Sequence, residues 1–234
     1  MLARDLERVF GQRLRSFVAY RGHHAEGPLQ SCAIVDGLHF ADLTACLPLS
    51  DGWHRHHLAV PLLLSADELR RTLDAFPLEY ATIVADHEVI RGADAFANLT
   101  IPAADLRRAC EAQAKSHLVH LREGFLESHG EVRAIARLVA LSATPLRALL
   151  TSLARLLHVS GPFDDRALAA FADARLDVPG GVVRDVFAAA GAQASTIVDP
   201  SGLLARYLEA AQKLWAFVDD WPQVPEDRRT ATDA

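Results

Sequence analysis

The spacing of apolar residues changes character about halfway along the chain of 234 residues. In the first half, short apolar runs of strand length alternate with stretches of helical spacing, and the strand candidates are residues 16–20, 31–36 and 57–65. Residues 78–92 predict a further strand, a turn at Asp86-His87 and a short return strand. Alternation of this kind predicts a sheet with helices packed on it.

Three local patterns add detail to this half. A stripe of Leu2, Leu6, Val9, Phe10 and Leu14 predicts a helix over residues 2–14. Ser65, with Glu68 three positions later, has the spacing of a capping box and predicts a helix over 66–74. The run over 57–65 is almost entirely apolar, which is typical of a strand covered on both faces.

The second half carries only helical spacing. Residues 104–129 have apolar positions one helical turn apart, and Thr144 followed by Pro145 predicts the start of a helix over 144–161. Short turns rich in Gly and Pro separate further helix candidates, which are residues 164–174, 180–190 and 201–220. Leucine and alanine stripes bounded by short turns predict an antiparallel bundle.

The predicted fold class is therefore α+β, with a mixed sheet and its helices followed by an antiparallel helical bundle. We place the boundaries at 1–102 for the α/β domain and 103–222 for the bundle domain. Residues 223–234 are polar and predict a flexible tail.

Composition narrows the class of protein. Half of the residues are apolar, and the net charge of −6 argues against nonspecific binding to nucleic acid. The three cysteines show no CxxC pair, which predicts free thiols in a reducing compartment. Residues 1–17 lack the apolar core of a signal peptide, and we expect no segment that reaches the roughly 20 apolar residues of a membrane span. The sequence predicts a cytoplasmic protein with no membrane association.

Histidines and basic residues form local groups that have both functional and structural interpretations. His54, His56 and His57 suit a polar surface turn better than a metal site, because no cysteine or carboxylate accompanies them at ligand spacing. His117 and His120 fit a buried hydrogen-bonded pair or plain surface residues. A basic patch is also visible, which we interpret as a solvated helix face: Arg107, Arg108, Lys115 and Arg122.

Two blocks of sequence resemble a known superfamily. The first is "LERVFGQRLRSFVAYRGHHAEG" with the following "SCAIVD", and the second runs from "VPLLLSADELRRTLDAFPLEYATIVADHEVIRG" to "ACEAQ". Together they resemble the nucleotidyltransferase superfamily, in the two-domain arrangement that kanamycin nucleotidyltransferase and related small bacterial proteins share. The resemblance implies a nucleotidyltransferase-like α/β domain followed by the helical bundle, with a cleft where they meet.

The resemblance also implies which residues an active enzyme needs. Active members end the first strand with Gly-Ser, carry an acid-x-acid pair on the second strand and place a third acid on a later one, because two divalent metals need oxygen ligands. Here the first strand ends in Tyr20-Arg21-Gly22-His23-His24, and residues 31–35 hold no carboxylate. Asp36 follows these residues and has no acidic partner two positions away. Glu79 falls near the predicted strand of the third acid.

These departures predict a degenerate nucleotidyltransferase fold without catalytic residues, metal or cofactor, which acts as a binding or scaffolding module. Arg21, Gly22, His23 and His24 are the candidates for binding an anion or nucleotide, since an arginine beside a glycine-bearing loop suits phosphate. A homodimer or a protein partner is expected to use the bundle.

Two alternatives stay open at this point. One is an active transferase that uses Mg²⁺ and relocated acids drawn from Glu26, Asp36, Glu79 and Asp42. It predicts that the Asp36 and Glu79 carboxylates approach within about 4–6 Å. The other is an interaction partner in a toxin–antitoxin-like pair, which rests on family analogy alone.

Overall fold

The structure is a computed structural model that describes residues 1–21, 29–159, 163–191 and 197–221. Contacts between Cα atoms divide the chain into two compact units, Met1–Pro102 and Ala103–Ala234. The predicted tail, residues 223–234, lies outside the described residues. The protein is a mixed α/β molecule with a small four-stranded sheet and many helices.

The N-terminal unit contains the whole described sheet. Its helices and strands, in chain order, are α1 (Leu2–Phe10), β1 (Leu14–Tyr20), β2 (Gln30–Val35), α2 (Phe40–Arg55), β3 (Leu62–Ser65), α3 (Ala66–Arg71), α4 (Pro77–Ala85) and β4 (His87–Gly92). A single 3-10 turn, Gly11–Arg13, joins α1 to β1, so the predicted helix over 2–14 ends four residues early.

The four strands lie in the order β3-β2-β1-β4. Strand β1 pairs antiparallel with both β2 and β4, and Tyr20 lies opposite Gln30 on one side and His87 on the other. Strand β3 runs parallel to β2, and α2 is the crossover that a parallel pair requires. One end of the sheet therefore collects the C-terminus of β1 and the N-termini of β2, β3 and β4; we call it the Tyr20 end.

Helices cover both faces of the central strands. On one face, residues of α1 and α2 pack against the sheet; this first cluster contains Leu2, Leu6, Phe10, Phe17, Ala33, Val35, Cys46 and Trp53. On the other face, α3 and α4 supply the cover; this second cluster contains Val18, Cys32, Ile34, Leu69, Tyr80, Ile83 and Phe96. Neighbouring residues of β1 and β2 alternate between the two clusters, as the pleat of a strand requires.

Two expectations about this unit are wrong. The run over 57–65 forms a strand only at Leu62–Ser65, and this strand is a partly exposed edge rather than a strand covered on both faces. Residues 78–85 belong to α4, because Pro77 occupies its first turn, where its missing N–H costs nothing. The capping box is confirmed, since Ser65 Oγ accepts from the Glu68 N–H, although α3 ends at Arg71.

The C-terminal unit is built from helices throughout its described part. In chain order they are α5 (Ala103–Glu127), α6 (Val132–Leu156), α7 (Asp165–Leu176), α8 (Gly180–Gly191) and α9 (Pro200–Asp219). Helices α6 and α9 each pack against the other four, so both lie at the centre of the bundle.

Helix α6 starts earlier than the sequence predicts. It runs unbroken through Thr144 and Pro145, so the expected N-cap at Thr144 is wrong. Pro145 has no N–H, which removes the helical hydrogen bond to the carbonyl of Leu141. Continuous burial of residues such as Val139 and Leu149 on either side of the proline outweighs this local cost.

Helix α6 also corrects the expectation that no segment is long and apolar enough to cross a bilayer. Its 25 residues contain an 18-residue window with mean hydropathy 1.3. Half of that window is buried inside the bundle, as in the core helix of a soluble protein. The length and apolar composition of α6 thus reflect its place at the centre of the bundle.

Candidate functional site

The residues proposed to bind an anion follow β1 directly. Arg21, the first of them, is exposed and lies at the Tyr20 end of the sheet. The structure gives Arg21 no carboxylate partner among the described residues. Gly22, His23 and His24, together with Glu26 of the alternative hypothesis, lie outside the described residues. Only the arginine of this predicted loop is therefore placed.

Strand β2 carries no metal-binding group where the resemblance implies two acids. Cys32, Ala33, Ile34 and Val35 are all buried, on alternate faces of the sheet. Burial raises the pKa of Cys32 to about 12, so its thiol stays protonated in this apolar setting. Ser31, at the start of this run, is 3% exposed, and its hydroxyl has no hydrogen-bond partner.

Asp36 lies at the opposite end of β2 and is bound by an arginine. Arg15 Nε donates to Asp36 Oδ2 at 2.5 Å, and the same arginine forms an ion pair with it through a second nitrogen. This hydrogen bond, with the charge of Arg15, lowers the pKa of Asp36. Asp36 therefore has a structural partner on β1.

Asp42 has a structural role in the first turn of α2. Arg13 donates to both carboxylate oxygens, at 2.5 Å and 3.0 Å, and the backbone N–H of His39 donates to Oδ2 at 3.0 Å. The Arg13 hydrogen bond is the largest of the causes that lower the pKa of Asp42 to about 2. A carboxylate with both oxygens engaged in this way fixes the start of α2.

The sequence predicts Glu79 on or near a strand, but the structure places it in the first turn of α4, where a negative charge is favourable. Burial, followed by the neighbouring Cys32 and Glu79, raises the pKa of Tyr20 to about 12, so Glu79 lies close enough to interact with Tyr20. The Asp36 carboxylate, at the other end of β2, is bound by Arg15. Among the described residues, no contact joins Asp36 to Glu79 as a relocated metal site requires.

The histidines do not form a metal site. The described residues contain no group of three or more His, Cys, Asp and Glu side chains able to hold a metal ion. His54 belongs to the last turn of α2, and His56 and His57 follow it, all exposed. The predicted surface turn is therefore a helix C-terminus.

His117 and His120 have different environments and are not paired with each other. His117 is buried, and its Nε2 is 2.6 Å from the Tyr207 hydroxyl of α9, while His120 is exposed and contacts Ser116. Burial lowers the pKa of His117 to about 4. Tyr207 also donates to the Ser142 carbonyl at 3.4 Å, so this polar group joins α5, α6 and α9.

The predicted basic patch on α5 is largely solvent-exposed, as expected for a solvated helix face, and only Arg107 is half-buried. Three of its side chains also contact α9: Lys115 Nζ lies 3.6 Å from the centre of the Trp215 ring, Arg107 donates to the Val218 carbonyl at 3.2 Å, and Arg122 contacts Gln212. Arg108 pairs with Asp105 on α5 itself.

Sequence reasoning missed α2 and with it the position of Arg55, His56 and His57. Leu29, just before β2, forms a parallel bridge with Leu58, so the end of α2 lies at the Tyr20 end of the sheet. Pro48 and Gly52 interrupt the helical signal of this segment. The sequence shows the cluster "HRHH", but which residues lie beside it in the fold depends on the pairing of Leu58 with Leu29.

Comparison with known proteins assigns no family. No protein-family model matches the chain, and no curated protein is similar to it.

Proposed function

We propose that this chain is a noncatalytic binding protein with a nucleotidyltransferase-like fold, whose N-terminal unit binds a phosphate-bearing ligand at the Tyr20 end. One observation carries the noncatalytic half of this proposal. The positions on β2 where metal-binding acids are needed hold Cys32, Ala33 and Ile34, packed under helices on both faces. Mg²⁺ prefers oxygen ligands and keeps several waters, which a buried apolar strand does not supply.

The remaining acids support the same conclusion. Asp36 and Asp42 are held by Arg15 and Arg13, and Glu79 lies close enough to Tyr20 to interact with it. Two-metal catalysis requires carboxylates that flank ions about 3.5–4 Å apart. Asp36 and Asp42 thus serve ion pairing and helix capping.

Arg21 supports the binding half of the proposal. A guanidinium group donates to two phosphate oxygens at once, and an exposed arginine beside a strand end is open to a ligand. Among the described residues Arg4, Arg55 and Arg71, like Arg21, have no carboxylate partner. Five other arginines of this unit are already paired with carboxylates: Arg8, Arg13, Arg15, Arg70 and Arg91. Gly22, His23 and His24 complete the proposed site in sequence.

A thermal-shift titration with ATP, GTP, CTP and UTP, each with and without Mg²⁺, tests this function. A ligand at 100 times its dissociation constant stabilises the folded state by about 2.7 kcal/mol, which is a shift of a few degrees for a domain of this size. We expect a shift that does not need Mg²⁺. A shift that appears only with Mg²⁺ contradicts the noncatalytic proposal, and no shift with any nucleotide contradicts nucleotide binding.

Matched variants locate the binding. Arg21→Gln removes the proposed phosphate donor and is expected to abolish the shift. Asp36→Asn with Glu79→Gln removes the two acids of the relocated-metal alternative and is expected to leave the shift unchanged. Loss of binding in the second variant and not in the first favours the active transferase.

A further inference from the structure

The C-terminal end of α2 brings a second group of cations to the end of the sheet where Arg21 lies. The backbone N–H groups of His56 and Leu58 both donate to the Trp53 carbonyl, which closes the helix. Leu58 then bridges to Leu29, and Tyr20 pairs with Gln30, the residue after Leu29. Two inter-strand spacings of about 4.8 Å thus separate the β1 terminus from the segment that ends α2.

These basic side chains lie near the point where β1 ends. Phe17 belongs to the cluster under α1 and α2, and alternation along β1 places Ala19 on that same face. Arg21 directly follows Tyr20, the last residue of the strand. Trp53 and Leu58, which bracket Arg55, His56 and His57, pack against the cluster of Phe17. The end of α2 and the exit of β1 towards Arg21 therefore adjoin at the Tyr20 end.

An unpaired buried hydroxyl lies on this face one step further in. Ser31 is two residues before Ala33 of the same cluster and opposite Ala19, so its side chain takes the α2 side. Its hydroxyl has no hydrogen-bond partner among the described residues, although an unpaired buried polar atom costs about 1–3 kcal/mol. Such an atom calls for a partner, which a water or a bound polar group would supply.

Basic and acidic groups both lie around this position. Arg55 and Arg21 have no carboxylate partner among the described residues. The acids of the surrounding elements are Asp5, whose carboxylate accepts from the Trp53 indole at 2.9 Å, Asp51, one turn before Arg55, Glu88, opposite Ala19 on β4, and Glu79, near Tyr20. The carbonyl end of α2 favours cations beside it, so the side chains rather than the backbone would meet an anion.

We propose that Arg55, His56 and His57 form the second half of an oxyanion site with Arg21, and that the site takes the phosphate group of a small molecule. This inference rests on the proposed function, because it adds residues to the same binding end. Arginine supplies a bidentate donor and histidine a ring N–H, which together surround a phosphate from two elements of the fold.

Isothermal titration of the full chain with inorganic phosphate and with ATP, both without metal, tests the inference. The test variant is Arg55→Gln, His56→Gln and His57→Asn; asparagine suits the left-handed backbone of His57, with φ of 56°. A control in the bundle removes three other exposed cations, one of which, His129, has φ of 50°: His129→Asn, Arg133→Gln and Arg137→Gln. Arg21→Gln is measured alongside, and thermal melts check that each variant folds.

We expect the test variant to weaken whichever probe binds by at least about tenfold, since hydrogen bonds to charged groups contribute about 1.5–3 kcal/mol. The control is expected to keep the wild-type affinity. If Arg21→Gln loses binding and the test variant keeps it, this inference fails and the proposed function stands. Equal losses in test and control variants also overturn it, and a wild-type chain that binds neither probe overturns both proposals.

Discussion

Arg13 and Asp42 form a two-pronged ion pair between the end of the 3-10 turn and the first turn of α2, with N–O distances of 2.5 Å and 3.0 Å. Asp42 also accepts from the His39 N–H, so one carboxylate fixes both the start of the helix and its attachment to β1. An acid that the sequence offers as an outside candidate for metal binding is thus a structural anchor.

Replacing Asp42 with Asn keeps an acceptor for the His39 N–H but removes the charged pair with Arg13, and is expected to destabilise the N-terminal unit by about 1 kcal/mol. The comparison is Asp36→Asn, which removes an exposed pair and should change stability little. Urea unfolding followed by circular dichroism measures both. Equal losses in the two variants would show that Asp42 has no special structural role.

The Asp42 pair also makes a pH prediction. Because Arg13 lowers the pKa of Asp42 to about 2, its stabilising contribution is complete above the ordinary aspartate value and is lost as the pH falls towards 2. Melting temperatures of the wild type and of Asp42→Asn should therefore converge between about pH 4 and pH 2. A difference that stays constant over this range contradicts the assignment.

The buried His117 predicts a second loss of stability on acidification, in the bundle and at higher pH than that of Asp42. Its pKa is lowered to about 4, so the unfolded chain, with histidine near 6.5, binds the proton more tightly. Stability should therefore fall as the pH drops from about 6.5 to 4. His117→Gln is expected to flatten this part of the profile, and His120→Gln, at an exposed position, is expected not to.

Tyr207→Phe removes the partner of His117 and leaves a buried ring nitrogen unpaired. We expect a loss of about 1–3 kcal/mol, since the group cannot regain water in the bundle core. Chemical denaturation of the full chain measures it. A loss below the error of that measurement would mean that the His117–Tyr207 hydrogen bond adds nothing to stability.

Two adjacent glycines at the start of α8 offer a matched packing test. A Cβ at Gly180 would lie 2.6 Å from the Ala169 carbonyl oxygen of α7, whereas one at Gly181 would meet only Arg184 Nη2 at 3.8 Å. Gly180→Ala should cost about 1–3 kcal/mol through overpacking, and Gly181→Ala should be neutral or stabilising. Thermal unfolding of the two variants decides the matter, and equal effects would contradict the close α7–α8 approach.

Pro145 tests whether α6 is continuous. Because it lies inside the helix and is exposed, Pro145→Ala restores a helical N–H and should stabilise the bundle by about 1–2 kcal/mol. If the helix instead began at residue 145, as the sequence predicts, proline would be well placed and alanine would bring no gain. Amide exchange at residues 141–146 distinguishes the two cases.

Local signals in the sequence predict much of this fold. The Ser65–Glu68 capping box and the strands β1 and β2 depend on residues close in the chain, and each is confirmed. The sequence predicts a strand over residues 78–85, because the apolar and β-branched residues of this segment favour strands. The segment is a helix because Pro77 suits its first turn and because Tyr80 and Ile83 pack against the sheet. Packing overrides local preference there.

The candidate site is harder to predict from sequence. The absence of acids on β2 is visible in residues 31–35, but the Arg13–Asp42 pair joins residues 29 apart and depends on the completed fold. The placement of the end of α2 at the Tyr20 end depends on the parallel bridge between Leu29 and Leu58 and on a helix that the sequence signals weakly. Pairing between distant segments decides these contacts.

One measurement tests the central claim most directly: a ³¹P NMR time course of ATP and Mg²⁺ with stoichiometric protein, with and without an alcohol or amine acceptor. The spectrum reports phosphate binding and nucleotide turnover in the same sample. The account predicts that the ATP resonances shift or broaden when protein is added and keep their integrals over time. Growth of a pyrophosphate resonance with loss of ATP would contradict it and show an active transferase.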